Sequence, residues 1–302
     1  MQVYDIPLDK THQETTKHGN SAFPFAIYTT TINKNILGYI DWHWHHELQF
    51  CMVLEGEVDF YVNQSQFLLK KGEGIFINTE QLHMAKNHEN HNSTYICLDF
   101  HPKMISSFKE SIVETKYVLP FLKKNDFAYC LLSQNIQYQK QILDLIKAIS
   151  LEYHSKERDE MHIFIQLMTL WHILIQHYQV SETMNMMNPH VKKMMDYIRH
   201  HYSENIGLDD IAQHVTLARS TCCREFKQQM GYTLFEYLLN VRLQEASRLL
   251  LSTDSNITEI SILCGFSNSS YFTKEFKRKT GLTPTCYRKE KEAERIEILS
   301  TI

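Results

Sequence analysis

The sequence lacks any apolar run that could cross a membrane and any recognisable export leader. No stretch approaches the ~20 consecutive apolar residues that a transmembrane helix needs. The first residues, Met1-Gln-Val-Tyr-Asp, lack the basic start and apolar core of a signal peptide. The 7 cysteines are odd in number and scattered, which argues against a disulfide framework. These absences predict a cytoplasmic protein with no membrane partner.

Charge is small overall but unevenly distributed. The 302 residues carry a formal net charge of −4, and this length favours two domains. Residues 190–289 hold 14 Lys and Arg against 10 Asp and Glu, whereas residues 1–189 hold 15 against 21. The basic part suits contact with nucleic acid. Because it is only modestly basic, we expect tight DNA binding to need a dimer or a favourable site.

A twelve-residue pattern near the C-terminus recurs fifty positions later. Phe226-Lys-x-x-x-Gly231-x-Thr233-x-x-x-Tyr237 returns as Phe276-Lys-x-x-x-Gly281-x-Thr283-x-x-x-Tyr287. Each copy ends a pair of short amphipathic helices, predicted from apolar spacing at 208–214 and 219–229 in the first copy. Two helix-turn-helix units at a fixed separation predict a protein that reads two consecutive faces of double-stranded DNA.

The second helix of each unit has an apolar inner face and a polar outer face. Cys222 and Phe226 face inward in the first copy, as Phe272 and Phe276 do in the second. Arg224 is predicted to read a base, since arginine bonds guanine bidentately, while most other basic residues are expected on phosphates. The predicted DNA-contacting residues are Arg219, Ser220, Cys223, Arg224, Lys227, Asn268, Ser269, Ser270, Thr273, Lys274 and Lys277.

Capping residues delimit these helices. Gly231 and Gly281 are predicted to end the two recognition helices in the left-handed conformation, and Asn268 to cap the start of the second. Residues 234–251 form one continuous helix pattern that connects the units. Ala218 stands at the N-cap of the first recognition helix. Its missing side-chain acceptor is expected to cost about 1 kcal/mol and to leave that helix loosely ordered until DNA binds.

Residues 190–290 resemble the DNA-binding domain of the AraC/XylS family of bacterial transcription regulators. Ala218 stands where members of that family usually have a capping serine, and Cys222 stands where they usually have a leucine. The resemblance implies RNA polymerase as a further partner. The matching residues include Leu208-x-x-Ile211-Ala212, Arg224-x-Phe226-Lys227, Gly231, Arg242-Leu243-x-x-Ala246-x-x-Leu249-Leu250, Ile257-x-x-Ile260, Gly265-Phe266, Tyr271-Phe272, Phe276-Lys277, Gly281-x-Thr283-Pro284 and Tyr287-Arg288.

The N-terminal half is predicted to be a small antiparallel β-barrel or jelly roll. Short segments rich in aromatic and β-branched residues alternate with turns over residues 22–100, with a hairpin turn at Asn63-Gln-Ser65. The chain as a whole is therefore α+β, with an all-α C-terminal domain. The predicted strands cover residues 25–32, 47–54, 58–62, 75–77 and 95–100.

A histidine-rich segment, Trp42-His43-Trp44-His45-His46-Glu47, is followed by His83. In a strand, His43, His45 and Glu47 would share one face and His46 the other. The segment resembles the first cupin motif, and residues 38–100 resemble the cupin-type sensor domain of many AraC/XylS members. Glu47 comes sooner after His45 than in a metal-binding cupin.

Three interpretations of this segment remain open. His43, His45, Glu47 and His83 could bind Zn²⁺, Fe²⁺ or Mn²⁺. They could instead line a metal-free pocket, or simply fill the mouth of the barrel. We favour the pocket, without a cofactor, because the mouth of a barrel is a common ligand site. The predicted effector-binding residues are Trp42, His43, His45, Glu47, Tyr61 and His83.

The remaining segments complete a four-part organisation. We expect the barrel over 1–105, a helical region over 106–182, a linker over 183–189 and the DNA-binding domain over 190–302. The helical region contains two amphipathic helices, at 135–153 and 161–178. The second has a nearly heptad stripe that can pack on its own barrel or on a second subunit, and it is our candidate for a dimer interface. The stripe comprises Ile163, Leu167, Leu170, Leu174 and Tyr178.

Three functions remain to be compared. A DNA-binding regulator that responds to a sugar or other metabolite accounts for the repeat and for the barrel. A metal-dependent cupin enzyme with a helical tail accounts for the histidines but not for the fifty-residue repeat. A metabolite-sensing adaptor leaves the basic outer faces unexplained. The sequence therefore favours the regulator, which is not an enzyme.

Overall fold

The computed structural model describes residues 6–9, 12–89, 92–122, 127–178 and 188–291, and the chain forms two compact units. One unit is drawn almost wholly from residues up to 186 and the other from residues beyond it. Most of the predicted linker, and the last residues of the predicted DNA-binding domain, lie outside the described residues.

The first unit is built on two antiparallel sheets. The five-stranded sheet has the order β1-β8-β3-β6-β9 and the four-stranded sheet has the order β2-β7-β4-β5. The hairpin turn predicted at Asn63-Gln-Ser65 joins β4 to β5; it comprises two residues, because Ser65 already pairs with Val62, and Asn63 has a φ of 53°. The strands are β1 (Phe25–Thr31), β2 (Tyr39–His43), β3 (Leu48–Glu55), β4 (Glu57–Val62), β5 (Ser65–Lys70), β6 (Gly74–Ile77), β7 (His83–Asn87), β8 (Thr94–Phe100) and β9 (Tyr129–Leu132).

Alternation along the strands divides the core of this unit into two layers. In β3, Cys51 and Val53 pack with residues of the four-stranded sheet, whereas Phe50 and Met52 pack with the helices. The five-stranded sheet is therefore buried on both faces, which is why β3 reads as a continuous apolar run. The result is a β-sandwich with helices on its outer side, which agrees with the predicted jelly-roll class.

The described residues of the first unit also form four α-helices. The apolar stripe of α4 is buried in this unit's own core, with Leu167 and Leu174 no more than 1% exposed. Our proposal of that stripe as a dimer interface is therefore wrong, because packing on α3 and the sheet already covers it. The helices are α1 (Lys103–Ser106), α2 (Leu119–Leu122), α3 (Gln137–Tyr153) and α4 (Glu160–His177), with a 3₁₀ turn at Ile32–Lys34 and a π-helical turn at Val113–Val118.

The second unit is entirely helical over its described residues. Residues 284–291 are also helical and include Tyr287, the last residue of the second copy of the repeat. No helix in the described parts of either unit has the length and apolar character of a bilayer span. The helices are α5 (Pro189–His201), α6 (Leu208–Val215), α7 (Arg219–Met230), α8 (Leu234–Ser252), α9 (Ile257–Leu263) and α10 (Ser269–Thr280).

The fifty-residue repeat corresponds to a repeated packing unit. The ring centroids of Phe226 and Tyr237 lie 5.6 Å apart, and those of Phe276 and Tyr287 lie 5.3 Å apart. All four side chains are buried. The repeated phenylalanine and tyrosine therefore fasten each recognition helix to the helix that follows it. This part of the repeat is explained by the core and not by DNA.

Candidate DNA interface and ligand cavity

The outer face of α7 holds the polar side chains predicted to contact DNA in the first unit of the repeat. Cys222 and Phe226 are fully buried on the opposite face. Arg219 pairs with Asp209 of α6, whereas Arg224 makes no ion pair with any residue that the structure describes. The predicted residues that are exposed here are Arg219, Ser220, Cys223, Arg224 and Lys227.

The outer face of α10 repeats this arrangement. The side chain of Asn268 caps the helix by accepting a hydrogen bond of 2.7 Å from the Tyr271 backbone N–H, as predicted. Gly281 ends the helix with a φ of 78°. Ser269 and Thr273 are half-buried, so the exposed ridge is narrower than the predicted set. The predicted residues that are exposed are Asn268, Ser270, Lys274 and Lys277.

Three other arginines of this unit stabilise the fold. Each directs its guanidinium to an oxygen of a neighbouring helix or turn, which the sequence did not reveal. Fewer arginine side chains are therefore available to contact DNA phosphates than the net charge of the domain suggests. The contacts are Arg199 Nε to Tyr237 Oη (3.1 Å), Arg242 Nε to the Tyr202 carbonyl (2.7 Å) and Arg288 Nε to the Leu250 carbonyl (2.9 Å).

In the first unit, a small cavity lined by both apolar and polar side chains lies against the N-terminal segment, which comprises residues 6–9 and 12–18. About 40 Å³ is open to the centres of water molecules. At about 10–15 Å³ for each water, the cavity has room for about three. Its polar lining includes Glu14, His43, Gln49, His83 and Asp99.

The N-terminal segment is fastened to the strands by backbone hydrogen bonds. The Glu14 N–H donates to the Trp44 carbonyl at 2.9 Å, and the Trp44 N–H donates to the His12 carbonyl at 3.0 Å. The Glu14 side chain is 6% exposed and lies 3.7 Å from His18 and 3.9 Å from His43. Sequence analysis missed Glu14, because a segment without periodicity gives no indication of what it lies against.

Three histidines gather beside this cavity. One ring nitrogen from each of His43, His45 and His83 lies within 4.8 Å of the others. The expectation that His43, His45 and Glu47 share one face of a strand is wrong, because β2 ends at His43 and a turn precedes β3. His46, expected on the opposite face of that strand, lies in the turn and is exposed.

Backbone carbonyls fix the ring tautomer of each histidine. The Nδ1 atoms of His43, His45 and His83 lie 2.7, 3.2 and 2.8 Å from carbonyl oxygens of residues 41, 47 and 81. A carbonyl oxygen only accepts hydrogen bonds, so each Nδ1 carries a proton, and a ring that is neutral presents an unprotonated Nε2. Gln49 Nε2 lies 3.3 Å from Nε2 of His45, while Nε2 of His83 is buried without a hydrogen-bond partner.

Burial governs the ionisation of this cluster. It lowers the pKa of His83 to about 4 and that of His45 well below its usual value, so these rings are neutral at pH 7. Burial raises the pKa of Glu14 to about 7 and that of Asp99 well above its usual value. The cavity therefore places neutral imidazoles next to carboxyl groups whose pKa values are raised.

The other predicted effector-binding residues lie away from this cavity. Trp42 is fully buried, with its ring centroid 6.0 Å from that of Tyr61, and neither residue lines the cavity. Glu47 Oε2 lies 3.7 Å from Nδ1 of His45, on the side of that ring remote from Nε2. Of the six predicted residues, His43 and His83 line the cavity and His45 borders them.

Comparison with known proteins agrees with both units. Residues 33–170 match the AraC-like ligand binding domain and residues 211–290 match a helix-turn-helix domain. An uncharacterized HTH-type transcriptional regulator of Bacillus subtilis, YdeC, is 37% identical over 93% of this chain and 97% of its own length. The HTH-type transcriptional activator RhaS of Klebsiella pneumoniae is 22% identical, covering 92% and 99%.

A third relative is the lactose operon transcription activator of Staphylococcus xylosus. It is 27% identical over 57% of this chain and 63% of its own length. The relatives are transcription regulators, which removes the cupin-enzyme alternative. The chain belongs to the AraC family of DNA-binding transcription regulators, in which a ligand-binding domain is joined to a helix-turn-helix domain.

Proposed function

We propose that α7 and α10 enter successive major-groove segments of one DNA site, with Arg224 reading a base. The observation that supports this is the exposed polar ridge of each helix opposite a fully buried pair, Cys222 with Phe226 and Phe272 with Phe276. A side chain that reads a base must be free to enter the groove, and arginine on guanine is the commonest specific contact. Arg219, Lys227 and Lys277 contact phosphates, while Ser220, Thr273 and Lys274 contact bases or phosphates.

Two variants of α7 test this assignment. Arg224→Ala should relax sequence preference at one base-pair step, with a loss of roughly 1–3 kcal/mol on the preferred base. Lys227→Ala should weaken binding to all sequences alike and lower the salt slope by about one, because it removes one phosphate contact. Binding of the full chain to a selected site and to single-base variants of it, at several salt concentrations, measures both effects.

Arg248 supplies the matched control, since it is an exposed arginine outside the proposed ridge and pairs with Glu245. Arg248→Ala should leave base preference unchanged. If Arg224→Ala alters neither affinity nor preference, α7 does not present this face to the groove. If Arg248→Ala behaves like Arg224→Ala, the effect comes from net charge and not from readout.

The proposed effector is a small polar metabolite, with a sugar as the leading class. The cavity supports this through its carboxyl, amide and imidazole lining, which suits a hydroxylated ligand. The lactose operon activator among the relatives offers a precedent in its name. A monosaccharide is larger than the about 40 Å³ now open, and Glu14 of the N-terminal segment is part of the wall. Entry of such a ligand therefore requires this segment to move.

We also propose a homodimer that works in the cytoplasm and contacts RNA polymerase. The modest charge of the DNA-binding domain supports a dimer, because two copies double the number of phosphate contacts. Met161 and Ile165 are 66% and 53% exposed on the outer face of α4, one turn apart. This face replaces the buried stripe as our candidate interface. Membership of a family of transcription regulators supports the contact with polymerase.

A further inference from the structure

We infer that His43, His45, His83 and Glu14 form a binding site for one first-row divalent metal ion such as Zn²⁺. This goes beyond regulation of transcription by a metabolite, and it concerns the side-chain cluster at the edge of the cavity. The inference rests on how the donor atoms are arranged, and it is independent of the DNA interface.

The spacing of the imidazoles is close to that of ligands on a common ion. Their ring nitrogens lie within 4.8 Å of one another, and the ring centroids of His43 and His83 are 4.1 Å apart. Zinc–nitrogen bonds of about 2.0–2.1 Å in a tetrahedron place nitrogens roughly 3.3 Å apart. Closing that difference needs a movement of about 1 Å from each ring, which small side-chain rotations provide.

The backbone prepares the rings for this role. With Nδ1 of all three rings bonded to carbonyl oxygens, Nε2 is the ring nitrogen of each that can bind an ion. A hydrogen bond from the second ring nitrogen to a carbonyl is the usual support of a metal-bound histidine. Nε2 of His83 is buried without a partner. An ion there would satisfy an atom whose burial otherwise costs free energy.

Glu14 supplies the fourth ligand. Its Oε2 lies 3.9 Å from Nε2 of His43, the nitrogen across the ring from the Nδ1 that bonds a backbone carbonyl. Glu47, the carboxylate nearer in sequence, approaches Nδ1 of His45 instead, so it faces the wrong side of the ring. His18, 3.7 Å from the other Glu14 oxygen, is placed to orient that carboxylate.

Ligation by Glu14 would tie the N-terminal segment to the strands through the ion. The other ligands come from the end of β2, the turn before β3 and the start of β7. The ion would thus crosslink the segment that walls the cavity. Space for about three waters next to it leaves room for solvent, or an oxygen of a ligand, to bind the ion as a fifth ligand.

The test uses the full-length chain purified without a histidine tag and stripped with a chelator. Co²⁺ serves as a spectroscopic probe, and Zn²⁺ is measured by competition against it and by metal analysis after gel filtration. We expect one equivalent of each ion, visible Co²⁺ absorption bands, and a higher Tm with metal. His83→Gln and Glu14→Gln should each lower affinity by at least roughly 10–100-fold, the loss seen when merely supporting groups are removed.

Two matched controls separate ligands from bystanders. His46→Gln changes an exposed histidine next to the cluster, and Glu47→Gln changes the carboxylate on the opposite side of His45. Both variants should bind the metal ion with the affinity of the unmodified chain.

Glu14→Gln is nearly isosteric, so it remains informative if His83→Gln fails to fold. Absence of saturable Co²⁺ binding, or binding unaffected by His83→Gln, overturns the site. Undiminished binding by Glu14→Gln overturns the fourth ligand. None of these readouts involves DNA, so failure of the DNA proposal would be seen separately.

Discussion

At the scale of single residues, Gly265 is held in place by a close backbone approach. Its φ is 78°, and a Cβ there would lie 2.6 Å from the Tyr202 carbonyl oxygen and 2.8 Å from Ser203 Cα. That carbonyl also accepts a hydrogen bond from Arg242, which keeps the backbone from moving away. Gly281 has the same φ but no atom within 4 Å of its added Cβ. Substitution of Gly281 by alanine therefore carries only the cost of the left-handed backbone conformation, without a steric clash.

Gly281→Ala should lower the free energy of unfolding by about 1–2 kcal/mol, the cost of a left-handed alanine. Gly265→Ala should lower it by roughly 1–3 kcal/mol more, because overpacking is added to the same conformational cost. Urea unfolding of both variants, with the m value checked for constancy, measures the difference. If both variants lose the same free energy of unfolding, the turn at Tyr202 and Ser203 moves to accommodate the new methyl group at no additional cost.

The cavity shows which site residues a sequence can reveal. His43, His45 and His83 were predictable because their residue type and spacing are characteristic of cupins. Glu14 was not, since its position depends on backbone bonds between two distant segments. Trp42 was misjudged because an aromatic side chain has the same pattern in a core as in a binding site.

At the scale of secondary-structure elements, the two recognition helices differ in how they begin. Asn268 caps α10 through its side chain, whereas Ala218 has extended backbone angles, φ −67° and ψ 145°, and offers no side-chain acceptor. Ala218→Ser should stabilise α7 by about 1 kcal/mol, and Asn268→Ala should destabilise α10 by a similar amount. Hydrogen exchange of backbone amides, read helix by helix without DNA, measures both.

The unmodified chain provides the baseline for that experiment. Amides in the first turn of α7 should exchange faster than their counterparts in α10, and Ala218→Ser should narrow the gap. Equal protection of the two helices before substitution would show that packing of Phe226 and Cys222, rather than the cap, determines the order of α7.

The C-terminal elements were more predictable than the N-terminal ones. The helices α6, α7 and α8 begin and end within one residue of their predicted bounds, because caps, glycines and a 3.6-residue period all agree there. In the sandwich, β2, β5, β7 and β9 lie outside the predicted strand ranges. The last of them, β9, was missed because Tyr129–Leu132 is short and flanked by helical segments. Its pairing with β6 is a long-range contact that local periodicity does not reveal.

At the scale of the whole molecule, the apolar stripe of α4 contributes to the core of its own unit, so it does not form the dimer interface that we predicted. The stripe through Leu167 is strongly apolar, but an apolar stripe does not indicate whether its own sheet or a second subunit covers it. Here the sheet covers it, because the outer face of the β-sandwich must also be buried. Any interface on α4 must therefore use its outer face, which includes Ile165.

Charged substitutions on the two faces of α4 should separate folding from association. Ile165→Asp should give a folded monomer, with Tm little changed, because Ile165 is 53% exposed in the single chain. Leu167→Asp should instead abolish cooperative unfolding, since an unpaired charge would enter the core.

The control for this experiment is Lys140→Asp, which changes an exposed residue of α3 and should remain dimeric. Light scattering after gel filtration gives the mass, and thermal melts give stability. If the Ile165→Asp variant dimerises with the same affinity as the unmodified chain, the interface lies elsewhere. In a true monomer, DNA affinity should fall steeply, since half of the phosphate contacts are lost.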